Sequence, residues 1–197
     1  SPGGLGDDLT AMSDGGAAAQ SIAGLRSATG ADLVALVTGR AAPSACGIAY
    51  LGPNPAAVYS ATEEACLFAG QWSFSHELGH NFGADHAPGD PIVTDVPYAR
   101  GYRDQAVRTL MAYPAPDSPA RLLNYSSSLV REPAGSGQPT GTSLQDNARR
   151  VSETAATVGA YATSAAVPDA PFGLSATVVG TTVSLAWSAP ATGGPVS

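Results

Sequence analysis

The stretch SHELGHNFGADH, residues 75–86, holds all three histidines of a 197-residue chain. His76 and His80 are four residues apart, slightly more than one helical turn, so on a helix both imidazoles leave the same face and can converge on one ion. Neutral imidazole suits zinc, which takes three or four nitrogen, sulfur or oxygen ligands. Glu77 lies about 100° further round the helix, where it reaches a water held by the ion without occupying the ion itself, as a general base must. Gly83 permits a positive φ, ends the helix and turns the chain so that His86 returns as a third ligand. Two helical histidines alone would be ordinary core residues. The third histidine, the glutamate and the glycine in one register set that reading aside. Asp85 reads as a solvated residue or a group bonded behind the ligands and not as a ligand itself, since His86 occupies that position, and Gly79 reads as a packing requirement.

Around this stretch the pattern is mixed. The small and apolar residues of 15–29 suit a helix stopped by Gly30, whereas residues 1–14, dominated by Gly, Asp, Ser and Pro, read as loop. The apolar run at 31–39 reads as a strand buried on both faces. Residues 47–51 and 56–62 give two more strands, and a helix over 69–82 carries the histidines. Residues 83–140 are rich in Pro, Gly, Asp and Ser and predict a long irregular segment, of the kind usually tied to function. A second helix over 140–161 is expected, capped by Thr142 or Ser143, with a stripe of Leu144, Ala148, Val151, Ala155 and Val158. Composition changes at Val167. Two alternating runs, 174–179 and 183–187, then predict a pair of strands.

An apolar fraction of 44% supports a sizeable core. A net charge of −7 without a single lysine excludes the basic patch that nucleic-acid binding requires. No apolar run is long enough for a transmembrane helix, and the N-terminus lacks the pattern of a signal peptide. Cys46 and Cys66 read either as two buried thiols or, in an exported protein, as a disulfide. Closing that loop contributes about 3 kcal/mol through the unfolded state. Glu63 and Glu64 read as a solvated pair.

The spacing His-Glu-x-x-His-x-x-Gly-x-x-His followed by RTLMAYP, residues 108–114, with Met111 as a methionine turn, resembles the signature of the metzincin zinc endopeptidases. GADLVALVTG (30–39), CGIAYLG (46–52), YARGYRD (98–104) and PTGTSLQDNARRVSETAATVGAY (139–161) are similar to the bacterial reprolysin-like group, especially the peptidyl-Asp metallopeptidases. The resemblance spans about residues 5–163. It implies an α+β catalytic domain over 1–165, a twisted mixed sheet with an active-site helix, whose first strand, helix and second strand lie outside this chain. It also implies one catalytic zinc on His76, His80 and His86, Glu77 activating the zinc-bound water, Met111 as an apolar floor, and an edge strand at GIAYLG that binds an extended substrate. Tyr113 reads either as a plain turn residue or, as in astacins and serralysins, as a group that stabilises the oxyanion. Cleavage beside an acidic residue is implied as well, with Arg100, Arg103 or Arg108 either lining the primary pocket or lying solvated in loops.

Residues 166–197, with PDAP, VSLAWSAP and Trp187, resemble the opening strands of a fibronectin type III module, a truncated β-sandwich. The chain thus reads as a piece of a secreted bacterial zinc endopeptidase acting on protein or peptide substrates. The alternative is a zinc-binding domain without turnover, or a binding module that works through the fibronectin-like segment. Calcium sites and oligomeric state are not encoded in these residues.

Overall fold

A computed structural model describes residues 3–40, 45–68, 70–115, 121–132, 137–162, 172–179 and 182–188. The first element corrects the expectation of a loop at the N-terminus: residues Leu5–Ser13 form helix α1. Leu5, Leu9 and Met12 recur at i, i+4 and i+7 and are buried. The Asp7 carboxylate accepts the Gly4 N–H at 2.9 Å, which caps the first turn. Helix α2 (Ala17–Thr29) ends at Gly30 in the left-handed conformation, φ 65°, as its sequence predicts.

Three strands follow: β1 (Val34–Thr38), β2 (Gly47–Ala49) and β3 (Tyr59–Glu63). The order is β1-β3-β2, with β1 parallel and β2 antiparallel to the central β3. β3 is enclosed on both faces: Ala61 packs into a core of Leu5, Leu9 and Met12, while Ser60 and Thr62 are buried on the opposite face of the pleat. β1 differs from the expectation of burial on both sides. Val34 and Leu36 pack on the α1 core, but Val37 is 45% exposed. An apolar run does not distinguish one covered face from two.

Glu63 and Glu64 are not a solvated pair. Glu64 is exposed, whereas Glu63 is 1% exposed and paired with Arg40, which also binds Asp8 of α1. Cys46 and Cys66 form a disulfide that ties the entry of β2 to the turn after β3.

Helix α3 (Ser73–Asn81) packs on β2 and β3. The described residues between 83 and 140 form almost no regular structure, as expected. Isolated bridges and side-chain bonds to backbone hold this segment. Helix α4 (Asn147–Val158) starts later than its sequence suggests: Asp146 is the cap, accepting the Arg149 N–H at 3.0 Å. Leu144 precedes the helix and is 65% exposed, so the inward face is Asn147, Thr154 and Val158 instead of an aliphatic stripe. Strands β4 (Phe172–Val179) and β5 (Thr182–Ser188) pair antiparallel as the alternating runs predict. The expected domain boundary at 165–166 falls outside the described residues. Among the described residues no helix is long and apolar enough to cross a membrane.

Candidate metal centre

α3 carries His76, Glu77 and His80, all buried, and its C-terminus is built to turn back on itself. Gly83 N–H donates to the His80 carbonyl at 2.8 Å and Ala84 N–H to the Gly79 carbonyl at 3.0 Å, the paired bonds of a Schellman ending. Gly83 sits at φ 86°, and a Cβ there would lie 2.5 Å from the Gly52 carbonyl oxygen and 2.8 Å from Arg150 Nε. Glycine is thus required twice, by conformation and by space. α4 pins the turn from behind. Thr154 Oγ1 donates to the Phe82 carbonyl at 2.8 Å, and the Asn147 side chain brackets the Asp85 backbone, Nδ2 to the carbonyl at 2.9 Å and Oδ1 from the N–H at 3.2 Å.

The turn returns His86 to the helix. Its Nε2 lies 3.2 Å from His76 Nε2 and 3.1 Å from His80 Nε2. Each ring uses its other nitrogen on a backbone carbonyl: His76 Nδ1 on Leu110 at 2.8 Å, His80 Nδ1 on Ala84 at 2.9 Å, His86 Nδ1 on Pro91 at 2.6 Å. A carbonyl only accepts, so each Nδ1 carries the proton and each Nε2 presents a bare lone pair. Three lone pairs facing one another repel unless a cation lies between them. Tetrahedral ligands at about 2.05 Å stand roughly 3.3 Å apart, close to the spacing here, so the donor set fits a metal ion of zinc's size and preference. Burial, followed by the neighbouring imidazole charge, pushes the His80 pKa down to about 4, which keeps its ring neutral, as ligation requires.

Asp85 is not solvated. It is fully buried, and its carboxylate accepts the N–H groups of His86 at 2.8 Å and of Val93 and Thr94 at 2.7 Å each, with Arg100 3.7 Å away. Burial alone would raise its pKa, but the three backbone donors outweigh that and hold it low. Met111 is fully buried against α3, and a Cβ at Gly79 would sit 2.8 Å from its sulfur. Gly79 therefore admits the methionine between the two helical histidines. The Tyr113 ring lies 4.3 Å from that of His86, and the residue is 39% exposed and lines the cleft over the three histidines.

Glu77 lines the same cleft as the three histidines and lies against β2, where Gly47 makes room for it: a Cβ at position 47 would overlap the carboxylate. Burial pushes its pKa up to about 8, with Arg121 pulling the other way. A carboxyl poised near neutrality suits a general base. If the peptidase function proposed below holds, replacing Gly47 by alanine is expected to swing Glu77 aside and lower peptide hydrolysis by about 100-fold while zinc content stays unchanged, because small misplacements of a reacting group cost that much. Hydrolysis within twofold of the parent chain would contradict the contact.

The cleft over the centre, about 360 Å³, runs along residues 47–51 and is closed below by His76, Glu77, His80, His86 and Tyr113. The outer edge of β2 pairs with no strand among the described residues, so it is open to this cleft. A second cavity of about 280 Å³ adjoins it on the far side of Glu77, lined by Gly47, Gln71, Ser73, Tyr113 and Arg121. Arg100, Arg103 and Arg108 line neither cavity. Arg100 donates to the Thr94 carbonyl beside Asp85, Arg103 pairs with Asp90 at 2.8 Å, and Arg108 lies buried with one nitrogen on the Ala112 carbonyl at 3.0 Å. Among the described residues the arginine that lines the second cavity is Arg121, which sequence reading missed because it lies beyond the methionine turn.

A small mixed sheet, an α-helix bearing two histidines and a glutamate, and a turn that returns a third histidine define a metallopeptidase-like domain. Residues 4–87 match the metallo-peptidase family M12B, reprolysin-like. A peptidyl-Asp metalloendopeptidase of Xanthomonas campestris pv. campestris is 34% identical over 122 residues, 60% of this chain and 28% of that protein. Peptidyl-Asp metalloendopeptidases of two Stenotrophomonas maltophilia strains are each 32% identical over 144 residues, 69% of this chain and 33% of those proteins. The chain thus spans about a third of the length of these relatives. A solved structure described as a chaperone-substrate complex shares the fold over 82% of this chain and 28% of its own, with a TM-score of 0.62 and 20% identity. The family match and the curated relatives support the metzincin-like group and a protease, and the solved structure shows the fold alone.

Proposed function

We propose that this chain is the catalytic part of a secreted, zinc-dependent endopeptidase that hydrolyses peptide bonds in proteins. The observation that carries this reading is the convergence of three proton-free Nε2 atoms beside a buried carboxylate, in a cleft bordered by an open strand edge. His76, His80 and His86 hold the zinc. When bound, zinc supplies Lewis-acid activation of water and of the scissile carbonyl. The edge of β2 takes the peptide in extended form by backbone hydrogen bonds. Glu77 accepts the proton of the water that attacks the scissile carbonyl carbon, then hands it to the amine nitrogen as the C–N bond breaks. The Tyr113 hydroxyl donates to the oxyanion that develops on the carbonyl oxygen. Met111 and Gly79 keep the floor dry and close-packed.

The disulfide supports an extracellular setting. The relatives' names support cleavage beside an acidic residue. The antiparallel pair β4–β5 supports reading 166–197 as the start of a fibronectin type III-like sandwich that follows a peptidase domain over 1–165.

The test is zinc stoichiometry together with hydrolysis of a quenched peptide library, with and without a chelator. One zinc per chain and hydrolysis abolished by the chelator are expected. One zinc per chain without hydrolysis selects the alternative, a metal-binding domain that lacks turnover.

A further inference from the structure

Three arginines stand abreast beside the candidate metal centre. Backbone bridges join Arg103 to Arg108 and Arg108 to Arg121, and bridged residues send their side chains to the same side. The Leu122 N–H to Arg108 carbonyl bond at 2.8 Å fixes that register. Only the first of the three has a carboxylate: Arg103 pairs with Asp90. Arg108 and Arg121 pair with none among the described residues. Both turn a nitrogen to the Ala112 carbonyl, at 3.0 and 3.5 Å, and both keep a buried Nε without an acceptor. Glu77 acts on Arg121 and Asp90 on Arg108 at longer range, without a salt bridge to either; two guanidinium groups that share one neutral carbonyl and each keep an unmet Nε are therefore only partly neutralised. Arg121 is the one that reaches the second cavity, where it shares a wall with His76, Glu77 and Tyr113. Its remaining anchor is the Gln71 carbonyl, across the cavity mouth.

Resting on the peptidase reading above, we propose that Arg121, backed by Arg108, is the specificity-determining residue, binding the carboxylate side chain of a substrate residue next to the scissile bond. The cavity adjoins the proton-transfer residue and the proposed oxyanion donor, so a side chain seated in it belongs to a residue flanking the reacting carbonyl. A guanidinium presents planar paired donors that match a carboxylate, and the partly buried setting makes the bond stronger than a solvated pair. Burial, then the nearby Arg108, lowers the Arg121 pKa to about 10, still cationic at neutral pH. An aspartate or glutamate side chain would supply the missing anion, whereas asparagine offers shape without charge.

The experiment uses the zinc-loaded chain and peptide pairs that differ only by Asp or Asn at either position flanking the cleaved bond. The parent chain is expected to prefer Asp by about 10- to 100-fold in kcat/KM, the range of a charge-assisted hydrogen bond. Arg121→Gln should bring that ratio to within about threefold of unity by slowing the Asp peptide alone, and Arg121→Lys should keep most of the preference. Equal loss on both peptides, or an unchanged ratio, overturns the proposal. The first would mean that Arg121 serves only to support Glu77. Binding of the same fluorescein-labelled peptides to the Glu77→Gln chain, read by anisotropy with and without zinc, gives the ratio independently of turnover. If no peptide is cleaved at all, the peptidase reading fails while the binding ratio still decides the role of Arg121.

Discussion

Glu77→Gln keeps zinc bound and lowers kcat by about 100- to 10,000-fold, the range that a positioned general base contributes. The substitution is nearly isosteric, so the packing against Gly47 survives and the three histidines, whose Nδ1 bonds all run to backbone carbonyls, are untouched. What is lost is the ability to take a proton. Glutamine still accepts a hydrogen bond through its carbonyl but cannot carry the proton to the leaving amine, so the loss falls on kcat and not on KM. Zinc stoichiometry by mass spectrometry and steady-state hydrolysis of one good peptide check both halves. A variant with more than one tenth of the parent rate would place the base elsewhere.

The second large effect concerns stability. Asp85→Ala leaves the N–H groups of His86, Val93 and Thr94 and the Arg100 guanidinium without their buried acceptor. Removing one member of a buried charged cluster costs about 3–5 kcal/mol, equivalent to roughly 6–20 °C in Tm for a domain of this size. Zinc affinity should fall about 10- to 100-fold, because the carboxylate and the His86 ring together fasten the loop from 85 to 94. Thermal melting with and without zinc, and zinc competition with a chromophoric chelator, measure the two effects. An unchanged Tm would show that the loop is held by other groups.

The clustering of the three histidines was legible because all three lie within eleven positions and their spacing maps onto one helix and one glycine turn. Local pattern also revealed α2 with its Gly30 stop and the strand pair at the C-terminus. What stayed open or was missed shares a cause. For Asp85 the sequence left a solvated residue and a group behind the ligands undecided, because its acceptor role depends on N–H groups eight and nine residues on, in a segment with no periodicity. Arg121 was invisible because a backbone bridge, not spacing, sets it beside Arg108. α1 was hidden by Gly and Asp on its exposed positions, although Leu5, Leu9 and Met12 had the right period. For the helix over 140–161, an aliphatic pattern outweighed the capping aspartate, whereas the buried face of α4 is partly polar because Asn147 and Thr154 hold the backbone of the histidine turn.

The end of β2 and the end of α3 are joined without any side chain at two points. Gly52 N–H donates to the His80 carbonyl at 2.8 Å, and neither Gly52 nor Gly83 tolerates a Cβ: one on Gly83 would meet the Gly52 carbonyl oxygen, one on Gly52 the Asn81 carbonyl oxygen. Asn81 completes the joint, its amide donating to the carbonyls of Tyr50 and Tyr59 at 3.0 and 3.1 Å. The strand edge along the cleft and the turn that carries His86 are therefore one part, like a rail cast in the same piece as its anvil. On the proposed function, lengthening or padding this joint would move the three histidines relative to the strand that takes the peptide.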